Sequence, residues 1–135
     1  MTEKIIVSVF GSSRTRRGDP EYSTAYDIGN LLVQAGMVVC NGGYGGIMEA
    51  SAHGAKDAGG RTMGITTRSF PGLKANQWID EEIPMETFID RLMKLISVAD
   101  GYVVLKGGTG TLLVLDAVLE LMNKNMTSQK PSVVV

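Results

Sequence analysis

The chain has 135 residues, enough for one domain with a single core and too few for two. Its formal charge of −1 offers no basic field for nucleic acid, and its apolar runs are too short for a membrane helix, so neither is an expected partner. One cysteine, Cys40, excludes an intramolecular disulfide, and its apolar surroundings mark it as a core residue.

The N-terminal stretch MTEKIIVSVFGSS lacks the length of a signal or anchor, so a cytoplasmic location is expected. Within it, Lys4 to Phe10 is a buried-type strand that stops at Gly11, Ser12 and Ser13. A polar turn containing Arg14, Arg16 and Arg17 follows, with solvation as the default for at least two of these arginines. Asp19 is placed as N-cap and Pro20 at the first helical position. Tyr22, Ala25, Gly29, Leu32 and Val33 then recur at helical spacing, and Gly36 ends that helix. Met37 to Cys40 is the second strand, and it breaks into Asn41, Gly42, Gly43, Tyr44, Gly45 and Gly46. The helix from Ile47 to Ala58 is rich in small residues suited to close packing, and Gly59 and Gly60 terminate it.

The third strand is Arg61 to Thr66. Ser69 to Met85 has no clean period and contains Pro71, Gly72, Asn76 and Pro84, which predicts a long loop covering a functional site. Phe88, Ile89, Leu92, Ile96 and Ala99 mark an amphipathic helix started by Glu86. Tyr102 to Leu105 is the fourth strand. It breaks at Lys106 into Gly107, Gly108, Thr109, Gly110 and Thr111, and then into LLVLDAVLELM, a helix apolar almost all round. Such a helix needs cover on two sides, which predicts a homodimer. Pro131 to Val135 is the fifth strand.

Strands alternating with helices and reading as continuous apolar runs imply an α/β domain over residues 1–135, Rossmann-like and doubly wound. The expected sheet is open, parallel and five-stranded, in order 3-2-1-4-5. That order brings the turns after strands 1, 2 and 4 to one carboxyl edge. There the free N–H groups of new helices favour an anion, most often a phosphate. A small phosphorylated molecule is therefore the expected ligand. The dinucleotide fingerprint is missing after strand 1, and Asn41 stands where its ribose-binding acid would be. A Walker A loop is missing too, since Lys106 precedes the glycines and Leu112 follows Thr111.

Phe10-Gly-Ser-Ser13, Gly42-Gly-Tyr-Gly-Gly-Ile-Met-Glu49, Arg91 nine residues before Asp100, and Gly107-Gly-Thr-Gly-Thr111 together resemble the LONELY GUY family. That family was once called lysine decarboxylase-like and includes cytokinin riboside 5'-monophosphate phosphoribohydrolases. The resemblance implies a homodimer that cleaves the N-glycosidic bond of nucleoside 5'-monophosphates, with no cofactor and no metal. Carried over by position, Gly108 to Thr111 and Gly43 to Met48 hold phosphate and ribose, and Arg91 stands in the place of the catalytic arginine. Two residues depart from the pattern: Lys106 replaces a proline, and Val114 stands where the signature glutamate belongs.

Asp116 and Glu120 lie about 200° and 240° round the helix from position 114, so neither replaces that carboxylate. Glu49 is the one candidate substitute, although a carboxylate in a first helical turn is favoured by the dipole in any case. The resemblance also implies a final helix after the fifth strand. Molybdenum cofactor carrier proteins share the fold and bind without this hydrolysis, so a non-catalytic carrier of a nucleotide or phosphorylated cofactor is the second reading. His53, four residues after Glu49, reads as a half-exposed helix histidine. Trp78 either stacks on a base or anchors its loop.

Overall fold

The computed structural model describes residues 4–135. Its elements, in chain order, are β1 (Ile6–Phe10), α1 (Pro20–Gln34), β2 (Val38–Asn41), α2 (Ile47–Asp57), β3 (Thr62–Thr67) and β4 (Glu81–Met85), followed by α3 (Phe88–Ser97), β5 (Gly101–Val104), α4 (Thr109–Asn123) and β6 (Ser132–Val134). All six strands pair in parallel in one sheet, in order β4-β3-β2-β1-β5-β6.

The five expected strands keep the order read from the sequence, but the sheet has a sixth. Residues 81–85 belong to a strand at the margin, paired with β3 so that Pro84 lies opposite Thr66. The sequence hides it because this strand is exposed or half-exposed throughout, so its residues carry no core pattern. A proline, which has no N–H to give a ladder, is tolerated only at such an edge.

Alternation along the strands sorts the core into two layers. Val9 and Val39 face α1 and α2, packing with Tyr22, Ala25, Ile47, Ala50 and Ala55. Phe10, Cys40, Tyr102 and Val104 face the other way, toward Leu92, Leu95 and Ile96 of α3 and Val118 and Met122 of α4. Ile47, Ile65 and Ile96 are at most 1% exposed. Burial of such a side chain contributes roughly 1.5–3 kcal/mol.

Glycines, which lack a side chain, let α1 and α2 touch through their backbones. A methyl group on Gly29 would fall on the Ser51 carbonyl, and one on Gly54 on the Tyr26 carbonyl. Pro20 opens α1 as expected, while Asp19 does not cap it with its side chain; its Oδ2 accepts instead from Arg16 N at 2.9 Å. α3 is capped by Thr87, whose hydroxyl accepts from Asp90 N at 3.0 Å, one residue beyond the Glu86 start expected.

α4 is less enclosed than its composition suggests. Val118 and Met122 are buried against the sheet, whereas Leu112, Leu113 and Leu119 are 58%, 45% and 45% exposed. Among the described residues no helix is long and apolar enough to cross a membrane.

Candidate functional site

The turns after β1, β2 and β5 meet beyond the carboxyl ends of the strands, and Ser12 joins all three. Its N–H donates to Lys106 O at 3.1 Å and its carbonyl accepts from Ile47 N at 2.9 Å. Its hydroxyl accepts from Arg14 N at 3.1 Å. Gly11 and Gly46 are glycines for packing reasons: a Cβ at 11 would meet Ile47 at 2.6 Å, and one at 46, where φ is +68°, would strike the Ser12 carbonyl.

The β2 turn is fixed by Asn41, which is fully buried. Its Oδ1 accepts from Gly43 N at 2.8 Å, and its Nδ2 donates to Met48 O at 2.8 Å and Ser51 Oγ at 3.1 Å. An aspartate would lack the two donor hydrogens, so the residue that argues against a dinucleotide site has a structural task here.

Above these turns lies a cavity of about 590 Å³, within the range of small-molecule sites. Its floor is made by Gly11, Ser12, Ser13 and Gly42, one side by Gly108 to Thr111 and Val114, and another by Met48 and Arg91. Phe10, Leu92 and Leu95 line its interior, and Tyr44, Phe70, Leu73 and Phe88 complete the wall. Among the described residues no carboxylate lines the cavity.

Gly108 caps α4 without any side-chain help. The first backbone bond of this helix is Leu112 N to Gly108 O, which leaves the N–H groups of Thr109, Gly110 and Thr111 without a helical partner. A Cβ at Gly108 or Gly110 would meet no protein atom within 4 Å, so both glycines keep backbone open to the cavity.

Arg91 reaches the cavity from α3. Its Nε donates to Ile65 O at 2.7 Å and Nη2 to Gly42 O at 3.0 Å, with Met48 Sδ 3.8 Å away. The guanidinium lies 5.2 Å from the Tyr44 ring centre and 5.8 Å from that of Phe70, two rings whose centres are 6.0 Å apart on one side of the cation. Burial pulls its pKa below the ordinary arginine value, which Tyr44 partly opposes. The Tyr44 hydroxyl is fixed in turn, accepting from Thr67 N at 3.0 Å and donating to Thr67 O at 3.2 Å.

The remaining candidate residues stand elsewhere. Glu49 does not line the cavity: its Oε2 accepts from Tyr22 Oη at 2.9 Å and lies 3.6 Å from Arg17 Nε. Burial, then that carboxylate, raises the Tyr22 pKa. Gly43 gives its carbonyl to Asn76 N at 2.8 Å, and Gly45 approaches Ser13 O. Lys106 and Gly107 line a separate hollow of about 320 Å³ with Thr15, Asp19 and Glu21, and with Ser12 and Arg14, both of which also line the main cavity.

Trp78 anchors its loop in this structure, stacked on His53 at 4.1 Å with the Arg17 guanidinium 5.1 Å from its ring centre. Cys40 is fully buried and desolvation pushes its thiol up to about 11, so it is no nucleophile. Sequence reasoning missed the aromatic wall of Tyr44, Phe70 and Phe88. Its one available signal was Tyr44, a large ring set among four turn glycines.

Comparison with known proteins gives a family and a fold. The model of the SLOG cluster4 family, which is LOG-related, matches residues 4–127. An uncharacterised protein of Archaeoglobus fulgidus is 35% identical over 114 residues, 84% of this chain and 74% of its own length. The molybdenum cofactor binding protein of the phototrophic bacterium Rippkaea orientalis superposes with a TM-score of 0.83 at 26% identity, over 99% of this chain and 77% of that one. The molybdenum cofactor carrier protein of Chlamydomonas reinhardtii shares the fold, with a TM-score of 0.80 at 24% identity, over 98% and 76%.

Proposed function

The chain belongs to the SLOG cluster4 family, and from that membership and the cavity we propose that it binds a nucleoside 5'-monophosphate or similar phosphorylated small molecule. The carrying observation is that three unpartnered N–H groups opening α4 and the Arg91 guanidinium face one cavity without a carboxylate. Phosphate sits on Thr109 to Thr111, where backbone donors and the helix dipole both favour negative charge. Ser13 and Gly42 support the sugar from the floor. Arg91 orients the ligand from the opposite side. Thermal shift with AMP and related monophosphates tests this directly: no shift at millimolar concentration removes the proposal.

Hydrolysis of the N-glycosidic bond, as in the LONELY GUY enzymes, is weak or lacking in this reading. Breaking that bond develops positive charge on the ribose, which a nearby carboxylate stabilises while it activates water. Val114 lines the cavity where that carboxylate belongs, and Glu49 is engaged with Tyr22 and Arg17. Val114→Glu is expected to raise base release from a monophosphate by roughly 10²-fold, the contribution of one acid–base group. Arg91→Ala lowers whatever release exists. Chromatography for free base and ribose 5-phosphate measures both. Robust wild-type turnover that survives Glu49→Gln would overturn this assignment.

The Rippkaea relative favours the second reading, a carrier of a phosphorylated cofactor. The residues fit the phosphate and a planar ring of such a ligand: backbone donors at one end, aromatic and aliphatic walls beyond. They supply no metal ligands, since no cluster of three His, Cys, Asp or Glu side chains capable of holding a metal occurs among the described residues.

A homodimer belongs to the same proposal. Leu112, Leu113 and Leu119 form an apolar strip along α4 that a second copy covers. Light scattering at micromolar concentration is expected to give twice the chain mass, and a monomeric mass contradicts the dimer.

A further inference from the structure

We infer that the ligand carries two anionic groups, one seated on the N-terminus of α4 and the other on Arg91. This rests on the phosphate reading above and specifies the class of molecule it concerns.

The sheet order sets the separation. Arg91 lies on the carbonyls of Gly42 and Ile65, beyond the β2 and β3 side of the sheet, whereas the Gly107 to Gly110 turn follows β5. β1 stands between β2 and β5, so at about 4.8 Å per strand the strand ends that carry the two receptors are about 10 Å apart, wider than a single phosphate tetrahedron.

Arg91 is also incompletely answered by the protein. Of its five N–H donors, Nε has Ile65 O and the two on Nη2 have Gly42 O and Met48 Sδ, while Nη1 has no partner among the described residues. No carboxylate lines the cavity, and no ion pair involves Arg91 among the described residues. A partly buried cation with open donors, held by the Ile65 and Gly42 carbonyls and backed on one side by the Tyr44 and Phe70 rings, is a receptor prepared for an anion. Phe10, Leu92 and Leu95 give the same cavity an apolar surface that suits the ring of such a ligand. The chemistry is therefore that of a phosphorylated ring compound with an acidic group at its far edge, such as a nucleoside monophosphate bearing a carboxylate on its base.

Two nearly isosteric probes isolate the second charge: N6-(carboxymethyl)-AMP and N6-(carbamoylmethyl)-AMP, titrated calorimetrically with AMP as reference. The carboxylate is expected to bind at least about tenfold tighter than the amide, the scale of a charge-assisted hydrogen bond. In Arg91→Gln that ratio falls to within about twofold, and in Arg91→Lys it is partly kept. A ratio near one in the wild-type protein overturns the inference without any variant having to fold. A ratio that survives in Arg91→Gln overturns it as well. If both probes and AMP bind equally, only the second anion is lost and phosphate binding stands; if none binds, the phosphate reading falls and this inference falls with it.

Discussion

Gly54→Ala is expected to cost more than about 3 kcal/mol and to leave most of the protein unfolded or insoluble. In an ordinary exposed helix the same change gains up to about 1 kcal/mol, because alanine is the better helix former. Here the added methyl would occupy the place of the Tyr26 carbonyl of α1, which is backbone and cannot rotate away. The reciprocal contact, Gly29 against the Ser51 carbonyl, means that α1 and α2 touch in two places at backbone distance, and Asn30 Nδ2 bonds Gly54 O at 3.1 Å beside them. Parting the helices would pull Tyr22 and Ala25 from Ile47 and Ala50 and open the layer above Val9. Urea unfolding within 1 kcal/mol of wild type would show that the interface relaxes more freely than this packing allows.

Gly110→Val is expected to have the opposite profile, with stability near wild type and ligand binding lost. The new side chain meets no protein atom within 4 Å of its Cβ and projects from the opening turn of α4 at the cavity. A phosphate that must approach the N–H groups of Thr109 to Thr111 is kept off by the isopropyl group. For the wild-type protein at a hundredfold excess over the dissociation constant, AMP stabilises by about 2.7 kcal/mol, a rise of about 8–12 °C for a domain of this size. The variant should show a rise below about 2 °C. Equal shifts in the two proteins would move the phosphate away from this turn.

Much of the architecture could be read from residue order because its signals are local. Apolar β-branched runs at 4–10, 37–40 and 102–105 break into glycine, and parallel strands joined by helices admit few arrangements. β4 was illegible for the same reason, since EEIPM is exposed and its pairing with β3 is a tertiary event. In the site, the floor and the α4 opening were visible as glycine and serine at strand ends. The aromatic wall was not: Phe70 reaches Arg91 from a loop twenty-one positions earlier, and no spacing rule links them. Glu49 illustrates the converse. A carboxylate beside a glycine turn reads as functional, but the direction of its side chain is set by Tyr22 and Arg17, which lie on α1 and the turn before it.

The strand at 81–85 also decides how the molecule meets its neighbours in a concentrated solution. Glu81, Glu82 and Pro84 are exposed along that margin, so an incoming strand would find two negative charges and a missing N–H where a continuous ladder would need donors. The β4 side is thus a poor template for fibre growth or strand exchange, and a protein engineer extending the sheet there would have to replace Pro84 first.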